Sequence, residues 1–352
     1  MCNTGGFMKS YFQRVRELTP TRFWINNPTP MEAHLAIEAG AVGCTTNPTY
    51  AWKMFQNPET HDYICTLIDR AISSGADNQE AASQVQAALV EDLMKIFSPV
   101  YEQSGGSAGF VSLQSNPHRD EDVDFIVKEA LNFAQMGSNY IAKIPATQAG
   151  LEASRAVLAS HIPVIITEVM SVSQTIASME VLSSIPSPPP CFITHITGIF
   201  DQYIQGVVKE QGLDISSDVL RHAGLAAAKK QYQIMNEFGT SAVMLGGGAR
   251  DLHHFTDFVG GDLHITINWK NTADRLIEEE TPVSCIFTAP PTQRFCDTLF
   301  EALPDMRKAC FPWELSIHEF QDYGPVQLFR SMFVDGWDRL TDVINTCRKE
   351  KM

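Results

Sequence analysis

Lys143 is the residue whose surroundings most demand a chemical explanation. It lies in Asn139-Tyr140-Ile141-Ala142-Lys143-Ile144-Pro145-Ala146, a strand-like run that is otherwise largely apolar. An ammonium buried without a partner is costly, so the amine's pKa should fall. A lysine that is neutral near pH 7 is a nucleophile toward carbonyls and forms Schiff bases. A lysine that snorkels to a rim or pairs with a carboxylate fits the same run. Polar residues also close the other strand-like runs: Asn26, Thr45-Thr46-Asn47, Gln114, Thr167, Thr194-His195, Gly246-Gly247-Gly248-Ala249-Arg250 and Asn268. Each has a plainer account. Asn47-Pro48 suits a helix start, with Asn as cap and Pro in the first turn. Gln114 reads as a core amide, Thr167 as a backbone partner and His195 as a structural imidazole. The glycine run serves a tight turn, or a cradle for an anion with Arg250 as counter-charge. Their convergence weighs more than any one of them.

The elements that must position these groups are read from short apolar runs alternating with helical stretches. Strands are expected at 22–26, 41–46, 110–114, 140–144, 163–169, 191–196, 241–245 and 263–268. Helical patterns are expected at 32–40, 49–104, 120–136, 147–160, 172–182 and 201–238, with a break near Gly212 and a short helix from Asp251. In 120–136, Val123, Ile126, Val127, Ala130 and Phe133 share one face. Apolar strands alternating with helices imply parallel strands buried on both faces. Eight such units over about 250 residues give a (β/α)8 barrel, with catalytic residues at the C-terminal strand ends. A doubly wound open sheet is the main competitor, but no Gly-x-Gly-x-x-Gly follows the first strand. The chain divides into a barrel over 1–275 with a short N-terminal helix, and a helical extension over 276–352 packed on it. Extra helices follow strand two. The last helix is expected from Gly336-Trp337 to Lys351, its basic end suiting the helix dipole. The tail aromatics Phe311, Trp313, Phe329, Phe333 and Trp337 are expected to cover the barrel, with a contact between copies, and hence a homo-oligomer, left open.

Composition narrows the class. Of the 352 residues, 26 are Lys or Arg and 41 are Asp or Glu, a net charge of −15. That balance argues against nucleic acid as a partner. With 44% hydrophobic residues the chain is not of the disordered class. No apolar run approaches the roughly 20 residues that span a bilayer, and the first residues carry no apolar stretch of the export type. A cytoplasmic protein with reduced thiols is expected, since its eight cysteines form no Cys-x-x-Cys pair. The ten histidines show no ligand spacing, so no metal is expected.

Three segments resemble the transaldolase family, in the same order and at similar spacing: Gly43-Cys44-Thr45-Thr46-Asn47-Pro48, Tyr140-Ile141-Ala142-Lys143-Ile144-Pro145-Ala146-Thr147 and Gly246-Gly247-Gly248-Ala249-Arg250. The resemblance covers about residues 20–275. It implies an aldolase-type barrel with the Schiff-base lysine on strand four, at Lys143. Asn47 takes the place of the asparagine that binds ketose hydroxyls. Thr167 takes that of the threonine that positions a catalytic water, and Thr194 that of a serine on the dihydroxyacetone unit. Arg250 corresponds to a phosphate-binding residue, and Thr46 and Gly247 fall in the substrate-binding segments. The implied reaction is retro-aldol cleavage of a ketose, with the three-carbon unit passed to an aldehyde. The lysine serves as the electron sink, so no cofactor is implied.

This sequence departs from the family at four points. Asn26, beside Asn27, stands where the family has an aspartate that takes the C4 hydroxyl proton, and an amide is no general base. Gln114 replaces a glutamate, as in the related fructose-6-phosphate aldolases. Ile199 stands for a phosphate-binding arginine and Gly248 for a serine, which weakens phosphate binding. His195 is then a candidate acid/base, its usual pKa near 6.5 suiting the role. Glu168 is another, although strand alternation points it away from the face of Thr167. The expected function is transfer of a dihydroxyacetone-type unit between ketose and aldose substrates, with a non-standard sugar or sugar-like donor. The alternatives are a lyase releasing free ketone and aldehyde, and a non-catalytic small-molecule-binding descendant.

Overall fold

Alternation along each strand sorts the side chains into an inside and an outside. The computed structural model describes residues 9–290 and 293–351. Helix α1 (Tyr11–Leu18) precedes β1 (Arg22–Asn26), α2 (Pro30–Ala39) and β2 (Gly43–Thr45). Three inserted helices follow, α3 (Tyr50–Gln56), α4 (His61–Ser73) and α5 (Asn78–Gln103). Then come β3 (Phe110–Gln114), α6 (Val123–Phe133), β4 (Tyr140–Pro145), α7 (Gln148–Ala159), β5 (Val164–Val169), α8 (Val172–Ser183) and β6 (Cys191–Ile196). Next are α9 (Thr197–Gln211), α10 (Ser217–Leu220), α11 (Ala223–Phe238), β7 (Val243–Gly247), α12 (His253–Thr256) and β8 (Leu263–Ile267). The tail holds α13 (Asp274–Glu278), α14 (Gln293–Ala302), α15 (Pro304–Cys310) and α16 (Gly324–Glu350). The strands close in sequence order into one parallel barrel, a (β/α)8 fold.

Inside the barrel, Trp24, Phe110, Ile141, Ile165, Phe192 and Leu245 form an apolar floor. Trp24 stands edge-on to Phe192 at 5.0 Å, and its Nε1 donates to His264 Nδ1 at 2.8 Å. A Cβ at Gly43 would lie 2.6 Å from the Trp24 ring, so only glycine lets the indole fill that layer. Outside, Phe23, Ile25, Val111, Ala142, Ile144, Ile166, Ile193 and Ile265 pack on the helices. With the floor filled, polar side chains gather at the C-terminal strand ends.

Local chemistry moves three boundaries from those expected. Helix α2 starts at Pro30, before Glu32, because Thr29 accepts from the Glu32 backbone N–H while the Glu32 carboxylate accepts from that of Thr29. Helix α9 begins at Thr197, directly from β6, and not at Asp201. Helix α16 begins at Gly324, with proline in its first turn, rather than at Gly336. Gly336 lies mid-helix because α16 crosses the start of α3 there, where a Cβ would sit 2.6 Å from Thr49.

Helix α16 lies across the barrel mouth. Arg330 grips Asp120 with both ends of its guanidinium at 2.7 and 2.9 Å, and Trp337 Nε1 donates to Gln79 Oε1 at 2.7 Å. Phe329 and Phe333 face the cavity, whereas Trp313 is exposed. The seven described cysteines are unpaired thiols; Cys2 and the opening segment read for an export signal lie outside the described residues. No described helix is long and apolar enough to cross a membrane.

Candidate active site

A cavity of about 250 Å³ opens at the C-terminal ends of the strands. Lys143, Thr167, Thr194, Asn26, Asn47, Gly247 and Arg250 line it. Gln114, His195 and Thr46 do not. Lys143 is buried, and its Nζ donates to the Thr46 carbonyl at 3.1 Å. The Phe333 ring centre lies 5.7 Å from Nζ. Burial pushes the amine down to about 8, opposed by the charge of Glu168. Among the described residues no carboxylate comes within ion-pair distance of it, and burial keeps the amine off the rim.

Thr46 contributes through its backbone. Its hydroxyl is turned away, donating to the Ser112 carbonyl at 2.7 Å. Asn47 is fixed by the N–H and hydroxyl of Thr49, at 3.1 and 2.7 Å from Oδ1. It is thus a turn residue and a cavity residue together. The Thr167 and Thr194 hydroxyls are buried with no partner among the described residues. Hydroxyls left in that state beside a cavity are available to a ligand.

Asn26 is locked into a network. Thr45 Oγ1 donates to its Oδ1 at 3.0 Å and lies 2.6 Å from Thr266 Oγ1, while Asn26 Nδ2 donates to Asn268 Oδ1 at 2.8 Å. The amide bridges β1, β2 and the end of β8, and neither end of it takes up protons.

The structure does not bring His195 to the cavity. It shares the outward parity of Ile193, opposite to Thr194, and Nε2 meets the Gly224 carbonyl at 3.1 Å. Burial pushes its imidazole down to about 4.

Glu168 departs from the alternation expected of it. Between Ile166 and Val169, β5 carries two residues opposite one on β6. In this bulge Glu168 takes φ = 62°, and its carboxylate reaches Gln114 Nε2 at 2.9 Å. Burial raises Glu168 to about 7, reinforced by Asp120 and opposed by the Gln114 hydrogen bond, Lys143 and Arg330.

The β7 turn brings Arg250 to the mouth. Its guanidinium donates to Gln202 Oε1 at 2.8 Å and to the Ala249 carbonyl at 3.2 Å. The backbone N–H groups of Arg250 and Asp251 are taken by His254 Nδ1 at 3.0 and 3.1 Å, so they cradle no anion. His254 Nε2 donates to the buried Asp201 at 2.8 Å. Asp201, His253 and His254 place ligand-type atoms within 4.8 Å of one another, but both His254 nitrogens are engaged. Gly248 has φ = 65°, and a Cβ there would sit 2.3 Å from Ile196. Ile199 is fully buried. Lys53 of α3, which carries no signal in the sequence, lines the mouth with Arg250. Partial burial and then the Arg250 charge draw its pKa down. Thr45, Thr266 and Met332 also line the cavity.

The class is thus a (β/α)8 barrel with a lysine-centred cavity at its strand ends. The transaldolase/fructose-6-phosphate aldolase family matches residues 26–316, and the chain belongs to that family. A transaldolase of Mycobacterium ulcerans (strain Agy99) is 29% identical over 212 residues, covering 56% of this chain and 55% of that protein. Transaldolase 2 of Streptomyces coelicolor is 29% identical over 225 residues, 59% of each. A transaldolase of Mycolicibacterium paratuberculosis is 30% identical over 212 residues, 56% of this chain and 55% of that protein. The chain spans little more than half the length of these curated relatives.

Proposed function

We propose that this chain is a class I aldol enzyme that transfers a dihydroxyacetone-type unit from a ketose to an aldehyde through a Schiff base on Lys143. The observation that carries the reading is the buried Lys143 amine, with no carboxylate partner among the described residues, facing a cavity with two threonine hydroxyls that have no partner among those residues. The neutral amine adds to the donor carbonyl, and loss of water leaves an iminium. The C4 hydroxyl proton passes to water in the cavity as the C3–C4 bond breaks and its electrons enter the iminium, and a proton returns to the acceptor's oxygen in the later addition. The first aldehyde leaves, and an enamine stays on Lys143. The enamine carbon then attacks the acceptor aldehyde, and hydrolysis frees the new ketose. Thr167, Thr194 and Asn47 bind hydroxyls, while Lys53 and Arg250 take an anionic group at the mouth.

The expected donor is a non-standard sugar, because buried Ile199 and crowded Gly248 add no anion-binding side chain to Arg250 and Lys53. The same observation favours a second reading, lyase chemistry, which differs only in releasing the three-carbon ketone. A homo-oligomeric cytoplasmic protein is compatible with either.

Borohydride in the presence of fructose 6-phosphate or dihydroxyacetone should add the ketone's mass to the peptide holding Lys143. Lys143→Met should abolish both the adduct and turnover. Absence of an adduct with either donor, or turnover surviving in Lys143→Met, would overturn the reading. Product analysis with and without an acceptor aldehyde separates transfer from release.

A further inference from the structure

Schiff-base formation needs a proton for the departing carbinolamine oxygen, and the residues that usually carry carboxylates in this family are the amides Asn26 and Gln114. We propose, resting on the Schiff-base reading, that Glu168 is the catalytic acid/base of this site, brought into the barrel by the β5 bulge. The topology forces its position. Glu168 belongs to β5 and bonds Gln114 of β3, and those strands flank β4. Gln114 and Lys143 are direct partners across the β3–β4 ladder. The carboxylate therefore reaches across β4 at the level of Lys143, outside ion-pair distance of the amine but close enough for its charge to act on it.

The bulge is held open for this purpose. A glutamate at φ = 62° is in a sparsely populated conformation that surrounding structure must impose. The fully buried Gln174 imposes it: Nε2 donates to the Glu168 and Ala146 carbonyls at 3.1 and 3.0 Å, and Oε1 accepts from the Met170 N–H at 2.8 Å. One extra residue thus turns into the barrel interior, onto Gln114, a side chain that alternation would bury among the helices.

The proton count closes. Neutral Lys143 adds to the ketone, and a proton moves from nitrogen to oxygen to give the carbinolamine. Protonated Glu168 gives its proton to that hydroxyl, which leaves as water. The products are an iminium on Lys143 and a carboxylate on Glu168, two opposite charges facing each other out of water. In the reverse direction the carboxylate accepts a proton from the attacking water. The charged groups around it are Lys143 on β4, Asp120 after β3 and Arg330 on α16; Gln114 completes the surround. Burial lowers Lys143 and raises Glu168, so the two titrate toward each other and share protons as a pair near neutral pH. Placing a proton on the carboxyl and none on the neutral amine gives the reactive form.

The test follows mass addition to Lys143 in the full chain, using dihydroxyacetone and cyanoborohydride from pH 6 to 9. The unsubstituted protein should give a bell centred between about 7 and 8. Glu168→Gln should lower the labelling rate by roughly 100-fold or more, the worth of a positioned acid, and remove the alkaline limb. Its acid limb should move to lower pH, because the charge that holds the Lys143 pKa up is gone. Glu168→Asp should be slower and keep both limbs. A Gln114→Glu/Glu168→Gln double variant should recover part of the rate. Labelling of Glu168→Gln within about threefold of the unsubstituted rate, with both limbs kept, overturns the role of Glu168 and leaves the Schiff base standing. Lys143→Met labelled as fast as the unsubstituted protein would overturn the Schiff base itself.

Discussion

At the scale of the residue, orientation decides chemistry before pKa does. His195 has the usual pKa for acid/base work but faces the helices, where it serves the Gly224 carbonyl. His195→Gln should leave the pH dependence of turnover unchanged and cost about 1 kcal/mol of stability, the net worth of one hydrogen bond. It should also change acid stability. The folded imidazole is held near 4, against 6.5 when free. Between those values the unfolded chain binds more protons, so stability falls as the pH drops through the window. His195 alone contributes at most about 3 kcal/mol of that fall, at 1.36 kcal/mol per pKa unit. Urea midpoints at pH 7.5, 6 and 5 should fall steeply for the unsubstituted protein and less for His195→Gln. Equal slopes would show that other groups govern the acid loss.

At the scale of the element, α16 is part of the site as well as its cover. Phe333 both excludes water from Lys143 and presents a ring face to its cation. The two effects oppose each other. A cation–π contact is worth about 0.5–1 kcal/mol at exposed sites, whereas burial moves a lysine by as much as 3–5 units. Desolvation wins, so Phe333→Ala should raise the Lys143 pKa and move the acid limb of labelling upward. Phe333→Leu, which keeps the cover apolar, should leave it in place. A downward move in Phe333→Ala would assign the ring's main effect to its quadrupole. Most of the barrel is legible in the sequence, because buried parallel strands are short apolar runs with sharp polar ends; β3 and β6 fall where those runs do. The outward face of His195 is legible too, since Ile193 shares its parity. The inward turn of Glu168 is not, because a bulge breaks the alternation on which the reading depends. Lys53 carries no signal, since it sits on an inserted helix and reaches the mouth only through the fold. The start of α16 is obscured by Gly324-Pro325, which reads as a break but opens the helix.

At the scale of the whole molecule, a body of net charge −15 presents two cations at the mouth of its cavity. Arg250 contacts neutral oxygens and the Met332 sulfur, and among the described residues Lys53 has no carboxylate in ion-pair contact. Like charges this close destabilise each other until an anion lies between them, so part of the binding energy of an anionic substrate is relief of that repulsion. The acidic surface opposes long-range attraction, so recognition has to come from contact inside the mouth. Lys53→Met and Arg250→Met should each raise KM for glyceraldehyde 3-phosphate about tenfold or more, since a hydrogen bond to a charged group contributes roughly 1.5–3 kcal/mol. KM for unphosphorylated glyceraldehyde should change little. Inorganic phosphate should compete with the phosphorylated acceptor in the unsubstituted protein and lose that effect in the double variant. Labelling of Lys143 by dihydroxyacetone, which has no anionic group, should persist in all three variants. If both acceptors weaken equally, the two cations shape the mouth rather than read charge.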